Sequence, residues 1–462
     1  MSAELERLAL ACIWPGFPGL EPPDWVRQRL SEGLGGVVLF GRNCRDLEQV
    51  AALSAALRAE RPDVIVATDE EGGDVTRLEV ETGSSFPGNW ALGVVDETAT
   101  TEAVARQIGS LCATAGVNLN LAPVADVNSN PRNPVIGVRS FGTDPELVAR
   151  HVAAYVRGVQ SVGVAACAKH FPGHGDTEAD SHLELPVAQG DLSDALVPFR
   201  AAIEAGVQSM MTAHLVVPEL DDAPATVSRR VLTELLRDEL GFDGLVVTDA
   251  LEMKGLAATV GVEQGAVWAL AAGADALCLG FELGDDTVLA VRDAIVEAVR
   301  SGELAEERLA EAAARVARGW AVRPRPVDSE VGLDAARRAL RVEGDAALRR
   351  PAVVVELLAE PNIAAGPAAH SLAALLGSEA VDADEALVQA ETHQLVIVLR
   401  DAHRYEWARN KAERLLAASP DAIVVETGLP YWRPESARAY VATHGAGRAN
   451  LQAASDRLQG AA

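Results

Sequence analysis

The sequence is poor in cysteine and in positive charge, and it has no long apolar run. Its five cysteines (Cys12, Cys44, Cys112, Cys167, Cys278) form an odd set without a C-x-x-C pair. That pattern speaks against a disulfide framework and against a cysteine zinc site, and for reduced thiols in a cytoplasmic protein. Lys and Arg number 40 against 67 Asp and Glu, a net charge of −27. Phosphate backbones and anionic bilayers are met with Lys and Arg, so neither nucleic acid nor a membrane surface is an expected partner. The acid surplus reads as a solubilising surface. No apolar stretch approaches the roughly 18 residues of a membrane span. The N-terminus, MSAELERLALACIWPGF, lacks the basic-then-apolar pattern of a signal peptide. No G-x-G-x-x-G follows an early strand, which removes the nucleotide-binding form of an open α/β sheet.

What is there is a long globular chain, 462 residues and 49% hydrophobic, too long for one ordinary core. Short apolar runs alternate with amphipathic helical stretches. The strand candidates are 8–13, 36–40, 64–68, 117–123, 164–170, 209–215, 245–249 and 274–280. Between them, helices are expected over 47–58, 98–115, 146–162, 192–205, 228–240 and 262–272. Asp46, Asp144 and Ser228 are placed to cap first turns. Gly116, Gly163, Gly206, Gly241 and Gly273 are placed to end helices in the left-handed conformation. Eight strands in a repeated strand-then-helix pattern predict a (β/α)₈ TIM-like barrel over 1–325, closed by a helical stretch at 304–320. AVRPRPVDSEVG, at 321–332, reads as a linker. Beyond it a smaller α/β domain over 326–462 is expected. Its helices fall at 333–341, 370–376 and 405–418, and its strands at 352–357, 395–399 and 422–427. These make a short parallel sheet ending in an Ala-rich tail.

The organising stretch is KHFPGHGDTEADSH, Lys169 to His182, which follows the apolar run 164–167. It packs three His, three acidic residues, two Gly and one Pro into 14 positions. Pro172, Gly173 and Gly175 disfavour a helix, so it is a loop at the end of a buried strand. The C-terminal ends of barrel strands converge on one mouth. The third strand delivers Asp69, with Arg77 eight residues later in TDEEGGDVTR. The fourth is followed by Asp126 and by Arg139 in NPVIGVRSFG. The fifth delivers Lys169 and His170, the sixth His214 and the seventh Asp249. Such a rim suits a polyhydroxylated ligand, because charge-assisted hydrogen bonds to hydroxyls contribute roughly 1.5–3 kcal/mol each.

Asp249 ends the apolar strand GLVVTD. It could cap the next helix, or attack an anomeric carbon to form a glycosyl-enzyme. The proton donor this chemistry needs is at hand in Asp180-Ser181-His182, where a carboxylate can orient an imidazole. Alternatively His170, His174, His182 and His214 could hold zinc, although Lys169 opposes a cation there. No metal and no cofactor is expected.

KHFPGHGDTEADSHLELP, with TDEEGGDVTR upstream and VVTDALEM downstream, resembles glycoside hydrolase family 3, in its β-N-acetylglucosaminidase branch. The order and spacing of the three motifs fit, over most of the region before the linker. The resemblance implies a (β/α)₈ barrel and a retaining mechanism through a covalent intermediate. It implies Asp249 as nucleophile, His182 as acid/base and Asp180 as its partner, with Asp69, Arg77, Arg139, Lys169 and His170 at sugar-binding positions. RDAHRYEW, Arg400 to Trp407, is similar to an element of the family's second domain, of which the tail looks like a truncated version. The implied activity is exo-β-N-acetylglucosaminidase on cell-wall or chitin fragments, a role in peptidoglycan recycling, with a small oligosaccharide as substrate. Phosphorolysis, a β-glucosidase or xylosidase activity, and a sugar-binding module without turnover are the alternatives. Nothing in the sequence fixes the oligomeric state.

Overall fold

The structure, a computed structural model, describes residues 2–190, 192–280, 283–359 and 370–460. Eight short parallel strands make the first body: β1 (Ile13–Pro15), β2 (Gly36–Leu39), β3 (Ile65–Thr68), β4 (Leu119–Asn120), β5 (Ala165–Phe171), β6 (Ser209–Thr212) and, after a hairpin of β7 (Val216–Val217) and β8 (Asp221–Pro224), β9 (Leu245–Val247) and β10 (Leu277–Leu279). Six of them pair in the order β2-β3-β4-β5-β6-β9, and β10 pairs with β1. A parallel bridge between Val247 and Ala276 joins the two sets on one side. On the other, the Gly35 N–H donates to Leu10 O at 3.1 Å, and the Trp14 ring packs where a side chain on Gly36 would stand. The eight strands therefore curl into a barrel.

Alternation along each strand fixes what the barrel mouth receives. Val38, Ile65, Ala67, Ala165, Cys167, Met211, Leu245 and Val247 belong to the cluster shared by inward positions. Their neighbours Val37, Val66, Ala166, Met210 and Val246 pack outward against the helices. The inward parity reaches Lys169 within β5 and, continued past the ends of β3 and β9, gives Asp69 and Asp249.

Most elements fall within a few residues of expectation, with two departures. The apolar run 8–13 is mostly the end of a helix, Ser2–Ala11, because Leu5, Ala9 and Leu10 recur at helical spacing on its buried face. The run 117–123 is strand only at Leu119–Asn120. Asp46 and Asp144 cap their helices, accepting from Gln49 N and Glu146 N. The five helix-ending glycines all have positive φ.

Beyond the barrel, 321–328 is held along its flank, with Arg323 N donating to Val162 O and Asp328 N to Gln107 Oε1. A second sheet follows: β11 (Arg341–Gly344), β12 (Ala352–Leu357), β13 (Gln394–Leu399), β14 (Ile423–Glu426) and β15 (Ala439–Ala442), in the order β11-β15-β14-β13-β12. Where a parallel sheet is expected, four strands are parallel, but β11 runs antiparallel to β15 at the edge. The Ala-rich tail is also structured. It supplies β15 and the helix Arg448–Leu458, whose Leu451, Ala454 and Leu458 cover one face of the sheet. Part of the expected helix 370–376 forms as Leu372–Leu375.

This second sheet docks on the segment after β3. Asp74, almost buried, pairs with Arg400 and accepts the Ala446 N–H at 2.6 Å. Gly447 approaches Gly73 so closely that a side chain on it would meet Gly73 backbone at 2.7 Å. Among the described residues no helix is long and apolar enough to cross a membrane.

Candidate active site

At the mouth of the barrel lies a cavity of about 200 Å³ lined by Asp69, Glu71, Arg77, Arg139, Lys169, His170, His174, His182, Asp249 and Glu252. Its charged floor is built on Lys169. Lys169 Nζ lies 2.6 Å from Asp69 Oδ1 and 2.7 Å from Glu71 Oε1. Glu71 in turn takes Arg139 in a two-pronged contact, at 3.0 and 2.8 Å. Lys169, Glu71 and Arg139 are all buried, and a charge in such surroundings survives only when paired. Burial would raise the Glu71 carboxyl, but Arg139 and Lys169 outweigh it and hold it far below the usual carboxylate range. Burial likewise opposes the Lys169 ammonium, and Asp69 and Glu71 raise it in return. Arg77 stands farther off, 3.9 Å from Asp69.

His170 reaches the same cavity despite its outward parity. The pairing of β5 with β6 shifts register between Ala168 and Phe171, which frees consecutive side chains to turn into the mouth. Its Nδ1 lies 2.7 Å from Asp126 Oδ2. Asp126 Oδ1 accepts the His174 N–H at 2.7 Å.

The two residues expected to carry the chemistry face this cavity together. Asp249 follows the inward register of β9 and is only part-buried. Burial raises its carboxyl, but the imidazoles of His214, His170 and His182 outweigh that and hold it below its ordinary value. It is therefore ionised at neutral pH. His182 is fixed by Asp180, with Nδ1 to Oδ1 at 2.7 Å. Asp180 is lowered too: burial opposes, and the hydrogen bond from His182 prevails. Asp180 itself stands behind His182, outside the cavity lining. The loop carrying the pair is braced from beneath. His174 Nε2 lies 3.1 Å from Ser181 Oγ, and Asn133 Nδ2 donates to His174 O and Thr177 O.

His214, expected to contact sugar, does not line the cavity. Its ring is spent on Thr226 Oγ1 at 2.8 Å and Ala250 O at 3.0 Å. Along β6 the inward residue is Met211, so even-numbered positions continue outward. Position 214 thus falls behind Asp249's own turn. The four histidines weighed as zinc ligands have different partners: His170 with Asp126, His174 with Thr177 and Ser181, His182 with Asp180, and His214 with Thr226 and Ala250. Among the described residues no three His, Cys, Asp or Glu side chains form a metal-holding group.

Two participants, Glu71 and Glu252, were not read from the sequence, and a third, Asp126, was read without its role. Glu71 was legible in principle, since it shares the parity of Ile65, Ala67 and Asp69. Asp126 was noted but given no partner, because its contact with His170 depends on the irregular end of β5. Glu252, which accepts the Gly280 N–H at 2.9 Å across the mouth, carried no local signal.

The description "Glycosyl hydrolase family 3 N terminal domain" fits residues 21–319. The chain belongs to glycosyl hydrolase family 3. It is a glycoside hydrolase on that ground and by its relatives. It is 33% identical over 331 residues to β-hexosaminidase A of Pseudoalteromonas piscicida, covering 64% of this chain and 55% of that protein, so it spans about half of that relative's length. It is 40% identical over 284 residues to a β-hexosaminidase of Thiobacillus denitrificans, covering 58% of this chain and 79% of the relative. Among solved structures, a glycoside hydrolase family 3 β-N-acetylglucosaminidase from Paenibacillus sp. str. FPU-7 superposes with a TM-score of 0.88 at 32% identity, over 99% of this chain and 97% of that one.

Proposed function

We propose that this family 3 enzyme is a retaining exo-β-N-acetylglucosaminidase, releasing terminal N-acetylglucosamine from cell-wall or chitin fragments through a covalent glycosyl-aspartate. The observation that carries the reading is one cavity lined by both an ionised Asp249 and a His182 whose Nδ1 is committed to Asp180. Asp249 attacks C1 of the sugar, and the C1–O bond to the leaving group breaks as His182 Nε2 gives that oxygen its proton. The same nitrogen, now neutral, then takes a proton from water, which attacks C1 and returns Asp249 to its free carboxylate. Asp69, Arg77, Arg139, Lys169 and His170 hold the sugar hydroxyls. The small cavity supports exo cleavage: about 200 Å³ is below the roughly 300–1,000 Å³ of pockets for drug-sized ligands, and it suits one sugar unit. The names of the relatives support a β-linked N-acetylhexosamine. The five free, buried cysteines support a cytoplasmic location, where the enzyme would serve in salvage of such fragments.

The test is turnover of aryl β-N-acetylglucosaminide by the parent chain and by Asp249→Ala, with inorganic phosphate present and absent. Loss of at least about 10³-fold in Asp249→Ala is expected; a rate within about tenfold of the parent removes the nucleophile assignment. Free N-acetylglucosamine as product at all phosphate levels is expected. Sugar 1-phosphate would instead make the enzyme a phosphorylase, since a neutral imidazole in place of a carboxylate acid/base does not repel a phosphate acceptor. Faster turnover of the glycoside lacking the acetamido group would make it a glucosidase or xylosidase, and no turnover of any would leave a sugar-binding module.

A further inference from the structure

The turn that carries His182 rests on the segment that carries Asp249, and the contact is made on a glycine. Ser181 O accepts the Gly255 N–H at 3.1 Å. Gly255 is buried, six residues after Asp249. A Cβ added there would stand 2.9 Å from Ser181 O and 3.0 Å from Glu184 O. Both obstacles are backbone, so neither can swing aside. The Gly255 φ lies outside the left-handed region, so glycine is not required for the local backbone. What it provides is space.

The two carbonyls it meets belong to one tight turn. Leu183 N and Glu184 N both donate to Asp180 O, at 2.9 and 3.0 Å. Moving Ser181 O and Glu184 O outward therefore moves Asp180 and His182 with them. The turn is also held by the contact of Ser181 Oγ with His174 Nε2 at 3.1 Å.

We propose that Gly255 is a positioning residue: its bare Cα face seats the Asp180–His182 turn against the nucleophile segment, so that the proton donor closes onto the glycosidic oxygen. The proposal rests on His182 being the acid/base. It touches no substrate itself. Filling the gap with a methyl group holds the turn open and leaves Asp249 where it is.

The experiment compares kcat/KM of the parent, Gly255→Ala and His182→Ala on two β-N-acetylglucosaminides, the 2,4-dinitrophenyl glycoside and the N,N′-diacetylchitobiose disaccharide. The dinitrophenolate leaves without protonation, whereas the sugar alcohol does not. His182→Ala should lose about 10²-fold or more on the disaccharide and little on the dinitrophenyl glycoside. If it shows no such selectivity, the role given to His182 fails. Gly255→Ala should lose about tenfold or more on the disaccharide while staying within about twofold on the dinitrophenyl glycoside. Added azide, which attacks C1 without a base and releases the Asp249 carboxylate, should restore its kcat on the latter. With His182→Ala selective, equal losses on both substrates or no loss on either in Gly255→Ala overturn the proposal. Should Gly255→Ala not fold, amide exchange of the parent gives the same answer: the Gly255 N–H must exchange in step with the 180–184 turn, and independent exchange overturns it.

Discussion

Asp180 Oδ1 receives two donors from a single residue, the Nδ1 of His182 at 2.7 Å and the main-chain N–H of His182 at 2.9 Å. Because the Asp180 carboxyl is held below its ordinary value, it is an acceptor at neutral pH and Nδ1 must carry the hydrogen. The nitrogen left for substrate is Nε2. Two residues apart, the pair fixes both the tautomer and the tilt of the ring.

Replacing Asp180 with Ala removes that control while leaving His182 in the chain. Turnover of a disaccharide should fall roughly 10²-fold, at the low end of what a positioned acid/base contributes. Fold stability should change little, since the His182 ring keeps some contact with solvent. Steady-state kinetics beside a thermal melt would check this, and unchanged kcat would mean the pair is ornamental.

The site was legible where strand parity continues unbroken into the loops. Asp69 and Asp249 prolong the inward rows of β3 and β9, Lys169 lies in that of β5, and a reader counting in twos reaches all three. His214 misleads because it stands near a strand end with the wrong parity, and strand ends alone do not say which way a side chain turns. His170 is the reverse case, placed by a register shift that leaves no mark in composition. The second sheet was half visible: β12, β13 and β14 are apolar runs, whereas β11 reads RVEG and is a strand only because β15 lies beside it. Pairing across about 100 residues of sequence is set by tertiary contact, not by local propensity.

The buried triad of Lys169, Glu71 and Arg139 predicts a pH dependence of stability. Glu71 titrates lower folded than unfolded, so its contribution is complete above its unfolded value of about 4.3 and is lost as pH falls toward the depressed folded value. Glu71→Gln leaves two buried cations with Asp69 alone. It should destabilise by about 3–5 kcal/mol at pH 7 and flatten the acid side of the stability profile. Denaturant unfolding at several pH values measures both effects. An equal loss in parent and variant between pH 7 and pH 3 would show that Glu71 does not contribute that slope.

Arg400 and Asp74 tie the second sheet to the turn that follows β3. Asp74 is two residues past Gly72, and its side chain is 5% exposed; Arg400 closes β13 from the far side. With Arg400→Met, Asp74 keeps the Ala446 N–H but loses the guanidinium it pairs with, and a buried carboxylate left so is costly. Loss of about 3 kcal/mol is expected. The loss should also reach the sugar site, because the same segment carries Glu71 three positions earlier. KM for the aryl N-acetylglucosaminide should therefore rise by several-fold while kcat holds, since Asp249 and His182 sit on the segments that follow other strands. The double variant Asp74→Asn/Arg400→Met should recover part of the stability, as removing both charges leaves no orphan. A kcat loss without a KM change would instead place the second sheet's influence on the acid/base loop, by way of the segment after β4, where His403 reaches Pro131 O at 2.7 Å and Asn130 Nδ2 donates to Asp176 O and Thr177 O.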